Sequence, residues 1–96
     1  MTARRPAVTD RSAPVHLPTS EAAIWTEIMS GLPHVRPSAE LEAFVGQVAR
    51  MREAQRRIAA EGLIIADPKG YPIPHPAIEI EKRAQIEIRA WGGRFS

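Results

Sequence analysis

Apolar positions gather into three helix-like stretches separated by proline- and glycine-bearing breaks. The first stretch follows Pro18-Thr19-Ser20-Glu21, where Thr19 or Ser20 is placed to accept from an orphan N–H and Glu21 sits where the helix dipole favours an anion. Ile24, Ile28 and Leu32 recur at i, i+4 with Trp25 and Met29 beside them, until Gly31 and Pro33 stop the element. A helix this short is marginal alone in water, so its apolar face must pack on something. In the second stretch Leu41, Phe44, Val48, Met51, Gln55 and Ile58 step by alternating three and four, a coiled-coil-like seam that Val45 widens. Gln55 is its one polar member. The spacing predicts a long helix from Ser38 to Glu61, with Gly62 as an αL cap and Leu63 as the hydrophobic contact beyond it.

Leu63-Ile64-Ile65, Asp67-Pro68-Lys69-Gly70 and Tyr71-Pro72-Ile73-Pro74 read as strand, turn and strand. Pro68 suits the second position of a turn, and Gly70 supplies positive φ. Pro72 and Pro74 restrict the second arm to an edge. After His75 the pattern is ambiguous. Ile78, Ile80, Ala84, Ile86 and Ile88 alternate like a strand, whereas Ala77, Ile80, Ala84, Ile88 and Trp91 form one helical stripe. Length and the Glu, Lys, Arg, Ala and Gln content select the helix, with Pro76 in its first turn and Gly92-Gly93 at its end. The expected fold is mainly α: short helix, long helix, small β-hairpin, third helix.

Length changes this picture more than composition does. At 96 residues the chain forms one small domain, and a domain of this size buries only roughly 60% of its unfolded surface. With no cysteine, neither disulfides nor thiolate metal sites can make up the deficit. Partner subunits then become the leading way to complete a core, which predicts a homo-oligomer, a ring, with Leu41, Phe44, Val48, Met51, Gln55 and Ile58 as the interface. The expected division is a flexible basic arm over 1–17, a helical domain over 18–91 and a frayed end over 92–96. The arm carries Arg4, Arg5 and Arg11 against Asp10, with Pro6 and Pro14 and no apolar period. No apolar run approaches the roughly 20 residues of a membrane span, and the start lacks a signal-peptide core. The expectation is a cytoplasmic protein without a membrane partner.

No catalytic constellation emerges. His16, His34 and His75 lack metal-ligand spacing, Glu79 and Glu81 point to different faces of a helix, and Lys69-Gly70 lacks a phosphate-cradling glycine run. No enzyme, cofactor or metal site is expected. The near-balanced charge, net +2, permits nucleic-acid contact without requiring it. Arg50, Arg52, Arg56 and Arg57 cluster off the seam of the long helix, where Glu53 and Glu61 are placed to neutralise Arg57 and Arg50. That singles out Arg52 and Arg56, with Arg4, Arg5 and Arg11 on the arm, as candidate phosphate contacts. The alternative reading is a solvated arginine face. The connection from Leu32 to Pro37 is longer than the turn of a helix-turn-helix.

Glu61-Gly62-Leu63-Ile64-Ile65, Pro68-Lys69-Gly70-Tyr71 and His75-Pro76-Ala77-Ile78-Glu79-Ile80, with Leu17-Pro18-x-x-Glu21 and Trp25 upstream, resemble the P27-type small terminase subunits of tailed bacteriophages and gene transfer agents. The resemblance runs from Leu17 to Trp91, and Trp91-Gly92-Gly93 stands where members usually carry Leu-Gly-Leu. It implies a ring-forming DNA-packaging factor that engages double-stranded DNA in the bacterial host and hands it to a large subunit with ATPase and nuclease activity. Two rivals use the same helices otherwise: a protein-interaction adaptor or antitoxin, and a degenerate helix-turn-helix regulator.

Overall fold

Ser38 opens the helix on which the rest of the chain is built: its Oγ accepts from the Leu41 N–H at 3.0 Å. Helix α2 then runs Ala39–Glu61, about 34 Å at 1.5 Å per residue. In the computed structural model, which describes residues 11–95, the short helix α1 (Thr19–Gly31) packs across the first half of α2. Strands β1 (Ile64–Ala66) and β2 (Pro72–Pro74) form an antiparallel ribbon beyond its end. Helix α3 (Ala77–Gly92) returns antiparallel along α2, so that Gly92 comes back beside Phe44. A 3-10 turn over Gly93–Phe95 follows. The radius of gyration is 17.6 Å, against about 12 Å for a compact chain of this length. The fold is drawn out along the helix pair.

One core holds it together. Ile24, Trp25 and Met29 of α1 meet Val35 and then Leu41 and Val45 of α2, with Phe44, Val48 and Ala49 packed around them. The expected interface seam is therefore largely spent inside the chain. Leu41 is fully buried, Phe44 and Val48 pack on the same core, Met51 and Ile58 are half-buried, and Gln55 alone is exposed. The reason is that a coiled-coil-like period serves any apolar partner, and α1 and α3 of the same chain arrive first.

Both ends of the domain depart from expectation. Residues 11–17, read as part of a flexible arm, are a strap. The buried Trp25 indole needs an acceptor and finds the Arg11 carbonyl at 3.0 Å. The Arg11 guanidinium donates to the carbonyls of Val35, Met29 and Leu32 at 2.6, 3.1 and 3.2 Å, covering groups left open at the end of α1. Ala13 and Leu17 pack on the core, and His16 Nε2 lies 2.7 Å from Glu42. At the other end the Phe95 ring meets Phe44 in a tilted contact, centroids 5.1 Å apart, the His34 Nε2–H donates to the Phe95 carbonyl, and Arg94 pairs with Glu40. A small core recruits whatever apolar side chain reaches it, which is why this turn is held rather than frayed.

At the start of α1, Thr19 and Ser20 are already helical and Pro18 holds the cap position without a side-chain bond. Gly62 has φ 92° and ψ 159°, so the chain leaves α2 extended into β1 rather than curling through αL. In the ribbon Asp67 Oδ1 accepts from the Lys69 and Tyr71 N–H groups, and Gly70 takes φ 90°. His75 fixes the corner. Its Nδ1 accepts from the Ala77 N–H at 2.9 Å, so the proton sits on Nε2, which donates to Glu61 at 2.7 Å. One buried imidazole thus caps α3 and ties it to the end of α2.

Candidate functional site

Between α1 and α3 the exposed flank of α2 forms the floor of a groove of about 1000 Å³. Small residues make the floor low: Gly46, Ala49 and Ala54 on α2, with Ala77 from α3. Ile24 closes one wall, and Ile80 and Arg83 rise from the other. Five arginines line it (Arg50, Arg52, Arg56, Arg57 and Arg83) against three glutamates, Glu21, Glu53 and Glu87. Four of the arginines share one helix because positions 50, 53, 54 and 57 and positions 52 and 56 fall on adjoining flanks at helical spacing. The α2–α3 packing brings in the fifth.

Ion pairing sorts these arginines differently from the sequence reading. Arg52 makes a two-point contact with Glu27 of α1, at 3.0 and 3.4 Å. The hydrogen bond and charge of Arg52 hold the Glu27 carboxyl below its ordinary range, and the hydrogen bond to Glu27 raises Arg52 in turn. Arg56, expected to lack a carboxylate on its own helix, pairs with Glu53 one turn back. Arg57 shares the same carboxylate, with Nε at 2.8 Å. Glu61, four residues beyond Arg57 and expected to help neutralise this cluster, bonds His75 instead. Among the described residues Arg50 and Arg83 carry no ion pair and no side-chain hydrogen bond, so they are the groove's unpaired cations.

The other expected contacts fall elsewhere. Arg11 is committed to the end of α1, away from the groove lining. Arg4 and Arg5 lie outside the described residues. Helical spacing offers Arg50 a carboxylate three residues on, Glu53, and Arg83 one four residues back, Glu79, which is why neither stands out in the sequence. In the structure Glu53 goes to Arg56 and Arg57, and Glu79 makes no ion pair with Arg83. The available signal was Ile80-x-x-Arg83 on the flank of the third stripe.

Guanidinium groups on a concave apolar floor suit oxyanions: each presents planar N–H donors that match a phosphate or carboxylate in two-point geometry. Among the described residues no group of three or more His, Asp and Glu could hold a metal ion. No described helix is long and apolar enough to cross a membrane. Residues 23–96 match the family model described as phage terminase, small subunit. No curated protein and no solved structure matches the chain.

Proposed function

Because the chain belongs to the phage terminase small-subunit family, which spans more than three quarters of it, we propose that it is a non-catalytic DNA-packaging factor. In this reading it works in the cytoplasm of an infected or gene-transfer-agent-producing bacterium. It engages double-stranded DNA and recruits or regulates the large ATPase and nuclease subunit.

The observation that carries the DNA contact is the arginine-lined groove, with Arg50 and Arg83 unpaired on facing helices. A phosphate backbone offers charges at regular spacing and asks for no base reading, which suits a row of guanidinium groups without aromatic stacking residues between them. Arg52 and Arg56 join these contacts by exchanging Glu27 and Glu53 for phosphate. Binding of this kind is weak per subunit and tolerant of sequence, and assembly multiplies it. A homo-oligomer, as a ring or otherwise, is part of the proposal. Its contacts lie outside the Leu41 to Val48 half of α2, which the chain's own core occupies.

The test is reconstitution with its cognate terminase large subunit. Its DNA-stimulated ATPase activity should rise on adding this protein, and Arg50→Gln with Arg83→Gln should remove the increase while leaving the fold's circular dichroism intact. An increase that survives both changes would place the contact with the motor and DNA on another surface.

A further inference from the structure

The two edges of the β-ribbon differ in a way that selects a partner. Bonds from the His75 N–H to the Leu63 carbonyl and from the Asp67 N–H to the Tyr71 carbonyl fix the alternation of the ladder. Leu63, Ile65 and Asp67 face β2, so the N–H and C=O groups of Ile64 and Ala66 point outward from β1. Among the described residues nothing bonds them. On β2 the outward positions are Pro72 and Pro74, which have no N–H to give. One edge is open and the other is closed to strand addition.

The ribbon's faces are equally uneven. Leu63, Ile65, Tyr71 and Ile73 share one face, and Leu63 and Tyr71 on it are 61% and 65% exposed. Ile64 on the opposite face is 60% exposed. A two-stranded ribbon is marginal by itself, and exposed apolar side chains beside an open edge mark a surface that pairs.

We propose that the open edge of β1 pairs antiparallel with the β1 edge of a second copy, across a two-fold axis at Ile65. In this register Ile64 lies opposite Ala66 of the second copy, and the pair exchanges both N–H to C=O bonds, repeated by the symmetry. The sheet becomes β2-β1-β1-β2, with Pro72 and Pro74 ending it on both sides, so growth stops at two copies. The apolar face of Leu63, Ile65, Ile73 and Tyr71 runs on across the axis. A second copy is the occupant because one short segment supplies donor, acceptor and apolar face in self-complementary order, while the proline edge of β2 can supply none of the donors. The contact is smaller than the about 1,200 Å² of a stable interface, so it forms at high protein concentration or under a further contact. It goes beyond the DNA reading and does not depend on it.

The absence of cysteine makes a clean test, because a single introduced thiol can only cross-link between copies. Non-hydrogen-bonded antiparallel neighbours sit about 4.5 Å apart at Cα, inside the roughly 4.4–6.8 Å that a disulfide spans. Ile65→Cys should therefore oxidise to a covalent dimer at least about tenfold faster (roughly 1.4 kcal/mol) than Gly70→Cys at the tip. In sedimentation the unmodified chain should shift to dimer as concentration rises. Ala66→Pro, which removes only an outward N–H, should abolish this shift and the cross-link. Should that proline loosen the ribbon, seen as lost exchange protection at the Asp67 and His75 amides, Ile64→Lys serves in its place. Equal cross-linking at positions 65 and 70, or dimerisation unaffected by both Ala66→Pro and Ile64→Lys, would overturn the proposal.

Discussion

Arg52 grips Glu27 through two nitrogens, at 3.0 and 3.4 Å, and so joins α2 to α1 at the rim of the arginine groove. Both side chains are about half-exposed, and such pairs contribute little to stability in water. The contact matters more as a competitor. While Glu27 holds it, Arg52 has to exchange one anion for another before it can take a phosphate.

Glu27→Gln should accordingly release Arg52 and strengthen DNA binding, with a log-affinity against log-salt slope steeper by up to about 0.9. The Glu27 pKa is depressed, so its small stabilising contribution is present above the ordinary carboxylate range and is lost as pH falls through the lower folded value. Acid titration of the Glu27→Gln variant should therefore show less loss of stability below that range than the parent. Fluorescence anisotropy over a salt series, with thermal melts over the acid range, measures both.

Arg11 should behave as a structural residue. Its guanidinium holds three carbonyls around the end of α1, and hydrogen bonds to a charged group contribute about 1.5–3 kcal/mol when one partner is removed. Arg11→Ala should lower stability by about that amount in a denaturant titration and leave the salt slope of DNA binding unchanged. A changed slope with unchanged stability would return Arg11 to the list of phosphate contacts.

His75 is the cap and the tie of the α2–α3 corner. His75→Ala strands the Ala77 N–H in a buried place and frees Glu61, at a cost of about 1–3 kcal/mol. His75→Asn, which can still accept from the Ala77 N–H, should recover part of that loss. Chemical denaturation of the pair decides it, and DNA affinity should be the same in both once folded.

The long helix gives a contrast between positions that the sequence treats alike. Leu41→Ala removes a fully buried side chain and should cost roughly 2–5 kcal/mol in monomer stability. Gln55→Ala, on the same seam but exposed, should change stability by less than about 0.5 kcal/mol. If the seam were an interface between copies, both changes would instead show as altered self-association.

The local order of the chain was open to reading because it rests on local chemistry. Ser38, Gly62, Gly70 and the proline pair of β2 punctuate three helices and a ribbon wherever they stand. The destination of each apolar face was not legible. Leu41 and Val48 look the same whether they meet a second copy or the chain's own Trp25 and Met29, since a 3-4 period carries no address. The strap was hidden because Arg11 acts through backbone carbonyls, which no side-chain pattern reveals. For the groove, helical spacing found the α2 arginines and the Arg57–Glu53 pair, but missed the partners of Arg52 and Arg56. Glu27 and His75 come from other elements, and they take Arg52 and Glu61 out of the i, i+4 arithmetic.

The central claim is that the groove's unpaired arginines meet DNA phosphates, and the salt dependence of binding tests it most directly. Arg50→Gln combined with Arg83→Gln should flatten the slope of log affinity against log salt by up to about 1.8, two contacts at about 0.9 each. The loss should be the same on unrelated duplexes. Arg52→Gln with Arg56→Gln should flatten it less, because those two are held by Glu27 and Glu53 in the free protein. A slope unchanged by the Arg50 and Arg83 substitutions, with the fold intact, would contradict the account.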